Sequence, residues 1–234
     1  MIPNMRFLLS IAAGFFSFAT SYGQVPVSQE PRHHKLVDNG HIRLLDVRLP
    51  PGDTTQFHIH ATPSLFVVLT GAKTGSQVVS EEDHSASPIK HYGNIWFEGF
   101  YIKPRIHRVY NDDEHLFNVM DIELTNMNFK TIDSPISLEA FTFLFEEKPV
   151  RAYRLYLTPG HTVSLQPRKA DVLMIQLNDS SANPGVQVFA SGNRSADTKY
   201  FNRKGYYLYV DSGTAFELKN EGSGNGEFAF FELK

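Results

Sequence analysis

Apolar and polar residues alternate along most of this chain in short runs, and turn-forming residues separate the runs. Alternation of this kind places successive side chains on opposite faces of a half-buried strand. In the first half, segments 35–38 and 41–49 flank Asn39-Gly40, the strongest short signal for a hairpin. Further strands are expected at 57–60, 65–69, 77–79, 94–97, 101–102, 107–110 and 116–124, with a polar loop through Glu81, Asp83 and Ser85. Only 136–141, between the halves, shows a helical period. Short strands at even spacing build a sandwich or a barrel.

The pattern occurs twice. Ile42-Arg43-Leu44-Leu45-Asp46-Val47-Arg48-Leu49-Pro50-Pro51-Gly52-Asp53-Thr54 aligns at an offset of 108 with Val150-Arg151-Ala152-Tyr153-Arg154-Leu155-Tyr156-Leu157-Thr158-Pro159-Gly160-His161-Thr162. Towards the end of each half the offset is 109, pairing Asn111 with Asn220 and Ile122-Glu123-Leu124 with Phe231-Glu232-Leu233. One residue inserted between two matches is what a surface loop tolerates. Two blocks at nearly one offset indicate an internal duplication, with a boundary near 128–142.

The first residues form a different kind of segment. Arg6 precedes an apolar run over 7–18, and small residues Ser21 and Gly23 precede Gln24. A run this short does not span a bilayer, and the arrangement is that of a cleavable signal peptide over 1–23. The expectation is therefore a periplasmic or secreted protein. The chain contains no cysteine, which excludes a lipobox, disulfides and thiolate metal sites. A formal net charge of -3 with scattered Lys and Arg leaves no basic patch for nucleic acid, and no basic amphipathic helix points to a membrane surface.

His58 and His60 lie two residues apart in an expected strand, so both imidazoles project to one face. Two ring nitrogens on one face can share a cation, and His107, on a neighbouring strand, is the candidate third donor. His-x-His alone also describes two partly exposed strand histidines. His33, His34, His84, His91, His115 and His161 sit among polar residues and read as solvated. Gly222-Ser223-Gly224-Asn225-Gly226 is read as a turn, because the apolar run after it is a strand and not the helix a phosphate loop needs.

The spacing around these histidines carries a resemblance. Gly52-x5-His58-x-His60-x3-Ser64-x6-Gly71 reproduces the first cupin motif with Ser64 in place of its glutamate. Ile102-x-Pro104-x2-His107-x3-Asn111 has the spacing of the second motif, with Ile102 and Pro104 replacing its Pro and Gly. The chain thus resembles the cupin superfamily over nearly its whole length after the first segment. The resemblance implies an all-β fold of two tandem jelly-roll-like cupin β-barrels, a bicupin following the signal peptide. The first barrel would span 30–127 and the second 143–234, joined by a connector at 128–142. It also implies one divalent transition metal (Fe, Zn, Mn or Ni) held by His58, His60 and His107.

In the second half, Gln166, Arg168, Val172 and Phe216 stand where the ligands would be, so that barrel is expected to be metal-free. An inward Arg168 is expected to pair with a local acid such as Asp171.

Three neutral imidazoles leave a divalent ion its full charge and open positions, which suits a small anionic ligand or substrate. Three-histidine cupins include dioxygenases, and other cupin metal sites serve lyases and isomerases. The expectation is a dioxygenase-like enzyme, with a lyase or isomerase, or a non-catalytic binding or sensory cupin, as alternatives. No catalytic or substrate-binding residue is assigned. Glu98, Tyr101 and Asp121 are the acid–base candidates, and Gln56, Tyr101, Lys103, Arg105 and Arg108 lie near the site in sequence. A homo-oligomer is left open.

Overall fold

A computed structural model describes residues 24–80, 88–100, 103–179, 185–191 and 198–234, and within these the side chains of 189–191 and 198–200 are not described. The segment 1–23 expected to be a signal peptide, the polar loop through Glu81, Asp83 and Ser85, and His84, Tyr101 and Ile102 lie outside the described residues. Among the described residues the chain is almost all strand, with one 3-10 turn at Val27–Gln29 and no α-helix. The first half contains β1 (Val25–Pro26), β2 (His33–Asp38), β3 (Ile42–Leu49), β4 (His58–His60), β5 (Ser64–Thr70), β6 (Ala72–Val78), β7 (Ile89–Lys90), β8 (Ile95–Glu98), β9 (Arg105–Asn111) and β10 (Phe117–Leu124). The second contains β11 (Phe141–Glu146), β12 (Val150–Leu157), β13 (Thr162–Leu165), β14 (Asp171–Gln176), β15 (Val186–Ser191), β16 (Thr198–Phe201), β17 (Tyr207–Val210), β18 (Ala215–Asn220) and β19 (Gly226–Leu233).

The sequence repeat coincides with a repeat in topology. The sheet β2-β3-β10-β5-β8 recurs as β11-β12-β19-β14-β17, and β4-β9-β6-β7 recurs as β13-β18-β15-β16. In the first half β1 adds a parallel edge to β4. Asn39-Gly40 makes the expected hairpin: Gly40 takes φ +80°, and Asn39 Oδ1 accepts from the amides of His41 and Ile42 at 3.0 Å each.

The period of two sorts each large sheet into two apolar faces. In β3, β5 and β10 one set of residues (Ile42, Leu44, Leu65, Val67, Met120, Ile122) packs against Val150, Ala152, Leu173, Ile175, Ala229 and Phe231 of the other half. The alternate set, including Val47, Val68 and Val119, faces the interior of the first barrel. Both faces being covered, all eight residues of β10 are buried. In the second half the inward set (Tyr153, Leu155, Met174, Phe216, Phe228, Phe230) packs together as one buried core.

Two polar devices are built twice. Asn111 Nδ2 donates to the carbonyls of Leu49 (2.9 Å) and His115 (2.7 Å), and its Oδ1 accepts from the Asp113 amide at 3.0 Å. Asn220 does the same with Leu157 (2.8 Å), Gly224 (2.9 Å) and Gly222 (3.0 Å). Arg43 pairs with Glu123 at 2.8 Å, as Arg151 does with Glu232 at 3.0 Å. A buried amide can use all its hydrogen-bonding capacity only in a fixed loop, so each asparagine latches the turn after its strand to the turn before the histidine strand or its counterpart.

The helical period at 136–141 forms no helix. Ile136 is instead held by its amide, which donates to the Tyr153 hydroxyl at 3.0 Å, and Phe141 opens β11. The strand expected at 77–79 starts earlier, at Ala72, because β6 pairs with β9 from Thr74 onward.

Candidate metal centre

The turn at Pro50-Pro51-Gly52 delivers β4 to β9. Gly52 takes φ +72°, which a Cβ would strain, and its amide donates to Asn111 at 3.0 Å. From there β4 pairs with β9 so that His58 faces His107 and His60 faces Arg105. The three imidazoles form a near-regular triangle, with ring centroids 4.7 Å (His58–His107), 5.0 Å (His58–His60) and 5.0 Å (His60–His107) apart. One ring nitrogen from each lies within 4.8 Å of the others, and all three residues are buried. The rings that the motif spacing nominates therefore do converge.

The hydrogen bonds decide which nitrogens are free. His58 Nδ1 is 2.9 Å from the Gln56 carbonyl, which can only accept, so Nδ1 carries the proton and Nε2 keeps its lone pair. His58 Nε2, His60 Nδ1 and both nitrogens of His107 are buried without a hydrogen-bond partner. An unpaired buried polar group costs about 1–3 kcal/mol, and a cluster of them in one place marks a site made for a further group. Burial holds all three imidazoles in the neutral form: His58 titrates at about 4, and His60 and His107 well below the ordinary range, with neighbouring positive charge adding to the effect. Neutral, converging imidazoles are a donor set that fits a divalent transition ion.

Around the triangle lies a cavity of about 270 Å³, bounded by His33, Phe66, Trp96, Phe100, Arg105 and Asp121 among others. Phe66 stacks on Trp96 at 4.9 Å. Arg105 donates to Glu98 at 3.2 Å and to Ser76 Oγ at 3.1 Å, which holds its guanidinium at the cavity wall. Asp121 is 1% exposed and Oδ2 lies 3.8 Å from His60 Nδ1, yet neither carboxyl oxygen has a hydrogen bond. Burial pushes its carboxyl well above the usual range, and the charge of Glu123 adds to this.

Of the acid–base candidates, Asp121 and Glu98 border the cavity, and Tyr101 lies outside the described residues. Ser64 does not border it; its hydroxyl donates to the Thr62 carbonyl at 3.0 Å. Gln56 and Lys103 are exposed, and Arg108 is held by Gln77 at 2.8 Å.

One expectation is overturned. His33 is not solvated: it is 8% exposed, its ring centroid lies 4.8 Å from that of His58, and it borders the cavity. Its Nδ1 lies 2.6 Å from Glu30 Oε2. Glu30, itself 2% exposed, also accepts from the amides of Arg32 (2.7 Å) and Gln56 (3.0 Å). Burial alone raises the Glu30 carboxyl, but the His33 hydrogen bond and these amides outweigh it and hold the group below the usual carboxylate range. The ionised Glu30 thus accepts the Nδ1 proton of His33 as a hydrogen bond, which fixes the orientation of the ring at the cavity wall.

The second half places other residues at the positions of these histidines. Phe216, at the position of His107, is buried in the barrel core, and Gln166 is exposed. Arg168 pairs with Glu232 rather than with Asp171, which instead accepts from the Ser212 amide at 2.8 Å. The cross-sheet register brings Glu232 to Arg168, and sequence distance does not reveal that.

No protein-family model and no curated protein matches the sequence. Solved structures do match the fold. AerE from Microcystis aeruginosa aligns with a TM-score of 0.60 at 11% identity, over 88% of this chain and 98% of that one. Salicylate 1,2-dioxygenase from Pseudoaminobacter salicylatoxidans, with gentisate, aligns at 0.58 and 12% identity over 85% and 70%. A deletion mutant of Bacillus subtilis oxalate decarboxylase aligns at 0.59 and 10% over 86% and 75%. Likeness at such low identity is a statement about fold: the chain has the fold of these cupin structures.

Proposed function

We propose that this protein is an exported metal-binding bicupin acting on a small anionic molecule. On this reading 1–23 is a removed leader, 30–127 holds one divalent transition metal at His58, His60 and His107, and 143–234 is a metal-free partner barrel joined through 128–142. The observation that carries the metal reading is the buried imidazole triangle with unpartnered nitrogens at a 270 Å³ cavity. When bound, a divalent ion there supplies Lewis acidity and open positions for an oxyanion. Arg105 adds positive charge at the wall, while Phe66, Trp96 and Phe100 exclude water and offer flat apolar surface to a ring or chain. His33, held by Glu30, presents its other ring nitrogen as a hydrogen-bonding partner for a ligand hydroxyl or carboxylate.

Matches to a salicylate dioxygenase bound to gentisate and to an oxalate decarboxylase support a small carboxylate as ligand. Dioxygenase-type chemistry is the first reading. A lyase or isomerase is the second, favoured by the Glu30–His33 pair, which holds a basic nitrogen beside His58 where a proton could be transferred. The test is metal-loaded protein incubated with salicylate, gentisate and oxalate, with dioxygen uptake and CO2 release followed together. Dioxygen uptake supports the first reading and CO2 release without it the second. Saturable binding with neither leaves a non-catalytic binding cupin, and no binding at all removes the small-carboxylate assignment.

A further inference from the structure

Ser64 and Asp121 stand diagonally across two paired strands. The register of β10 on β5 sets Asp121 opposite Phe66 and Glu123 opposite Ser64. Residues two apart in a strand share a face, so Ser64 and Asp121 project from the same side of the sheet. In the cupin motif the position of Ser64 carries a carboxylate. Here its hydroxyl is turned to the Thr62 carbonyl, away from the cavity. Asp121 does border the cavity, with both carboxyl oxygens buried and unbonded. Beside it stand the Ser64 side chain and His60 Nδ1, the latter 3.8 Å from Oδ2, itself buried and without a hydrogen bond.

The fold does not require an acid at this place. Asp121 corresponds to Phe230 at the offset of 109 and Ser64 to Val172 at the offset of 108, and Val172 pairs with β19 as Ser64 pairs with β10; both counterparts are buried in the second barrel. His107 corresponds in the same way to Phe216, whose ring centroid is 6.3 Å from that of Phe230. Where the barrel has no site it is closed by aromatic rings. Asp121 therefore belongs with His107 to the equipment of the first barrel.

We propose that Asp121 supplies, from the adjacent strand, the carboxyl group that Ser64 lacks: ionised when a divalent ion is bound beside it, it accepts the Nδ1 proton of His60 as a hydrogen bond and fixes Nε2 toward the ion. This rests on the metal reading above. Asp121 is a positioning residue, and a carboxylate behind a ligating imidazole also makes that imidazole a better donor. The small side chain of Ser64 is part of the arrangement, because a glutamate there would place two carboxylates together in a buried space.

Cobalt(II) titration of the purified protein, followed by its visible absorption, tests this. Wild type is expected to bind one Co(II), and Asp121→Asn about 10–100-fold more weakly, with a changed Co(II) spectrum and unimpaired stability of the metal-free form. Ser64→Glu alone is expected to lose stability, and Ser64→Glu/Asp121→Ala to regain affinity over Asp121→Ala. Equal affinity in wild type and Asp121→Asn overturns the inference while leaving the metal site standing. A loss in Asp121→Asn with no recovery in the exchanged pair overturns the substitution of one carboxylate for the other. Should Asp121→Asn fail to fold, the comparison of Asp121→Ala with the exchanged pair decides alone. Absence of Co(II) binding to wild type overturns the metal reading and this inference with it.

Discussion

His33 and Phe141 occupy the same position in the two halves: His33 pairs across to Val47 and Phe141 to Leu155, each at the start of the outer strand of its large sheet. Phe141 packs edge-on against Tyr153 and Phe230, at 5.9 and 5.0 Å, whereas His33 is tied to Glu30 beside the candidate centre. The position tolerates an aromatic ring, so the histidine is there for its nitrogens. His33→Phe is expected to cost about 1–3 kcal/mol, because it removes one partner of the buried Glu30 carboxylate. Adding Glu30→Gln is expected to recover most of that. Both variants keep one metal per chain and lose affinity for a hydroxy acid such as salicylate at least tenfold. Urea unfolding with metal analysis and ligand titration checks these points, and an unchanged ligand affinity removes His33 from the site.

The two asparagine latches predict matching losses in both halves. Asn111→Ala and Asn220→Ala each remove hydrogen bonds to two carbonyls and one amide around a residue that is 1% exposed. Each is expected to destabilise by about 2–3 kcal/mol, as several buried groups lose partners together. Metal affinity should fall in Asn111→Ala and stay at the wild-type value in Asn220→Ala, because only the first latch supports the turn leading to His58. Equal metal affinity in both variants would show that this turn does not position the histidines.

The candidate ligands and the fold are unequally legible in the sequence. Period-two alternation and the offset of 108–109 anticipate the duplicated strand order, since strand faces and turns are local properties. His58, His60 and His107 were readable because strand phase and motif spacing agree. His33 was not, because His33-His34 reads as a solvated pair unless the strand phase is known. The available signal was the repeat, which pairs His33 with the apolar Phe141. Arg168 was matched to the nearby Asp171, but Glu232 reaches it through cross-sheet pairing, which no local pattern encodes. Asp121 was noticed as an acid without its relation to Ser64, which depends on the β5–β10 register.

The imidazoles also predict a pH dependence for metal-free protein. His58, ordinarily near 6.5, titrates at about 4 in the fold, and His60 and His107 are lowered too, chiefly by burial. The unfolded chain therefore binds more protons between these values. The stability these residues confer is complete above about 6.5 and is lost as pH falls, down to about 4 for His58, which alone contributes on the order of 3 kcal/mol, and lower still for His107. Glu30, lowered by its hydrogen bonds, extends the loss below 4.5, while the raised carboxyl of Asp121 acts in the opposite sense. Urea midpoints measured in chelator from pH 7.5 down to 4 should fall steadily, and His107→Phe should flatten the slope. A flat wild-type profile would mean that these rings are not buried neutral.

The three-histidine centre is tested most directly by X-ray absorption at the metal edge of protein purified from its native compartment. One divalent transition metal per chain, with three imidazole nitrogens at about 2.0–2.2 Å, is the expected result, lost in His58→Ala/His60→Ala while the strand content by circular dichroism is retained. A metal-free protein that takes up no ion on loading, or a metal whose nitrogen shell survives the double substitution, would contradict it.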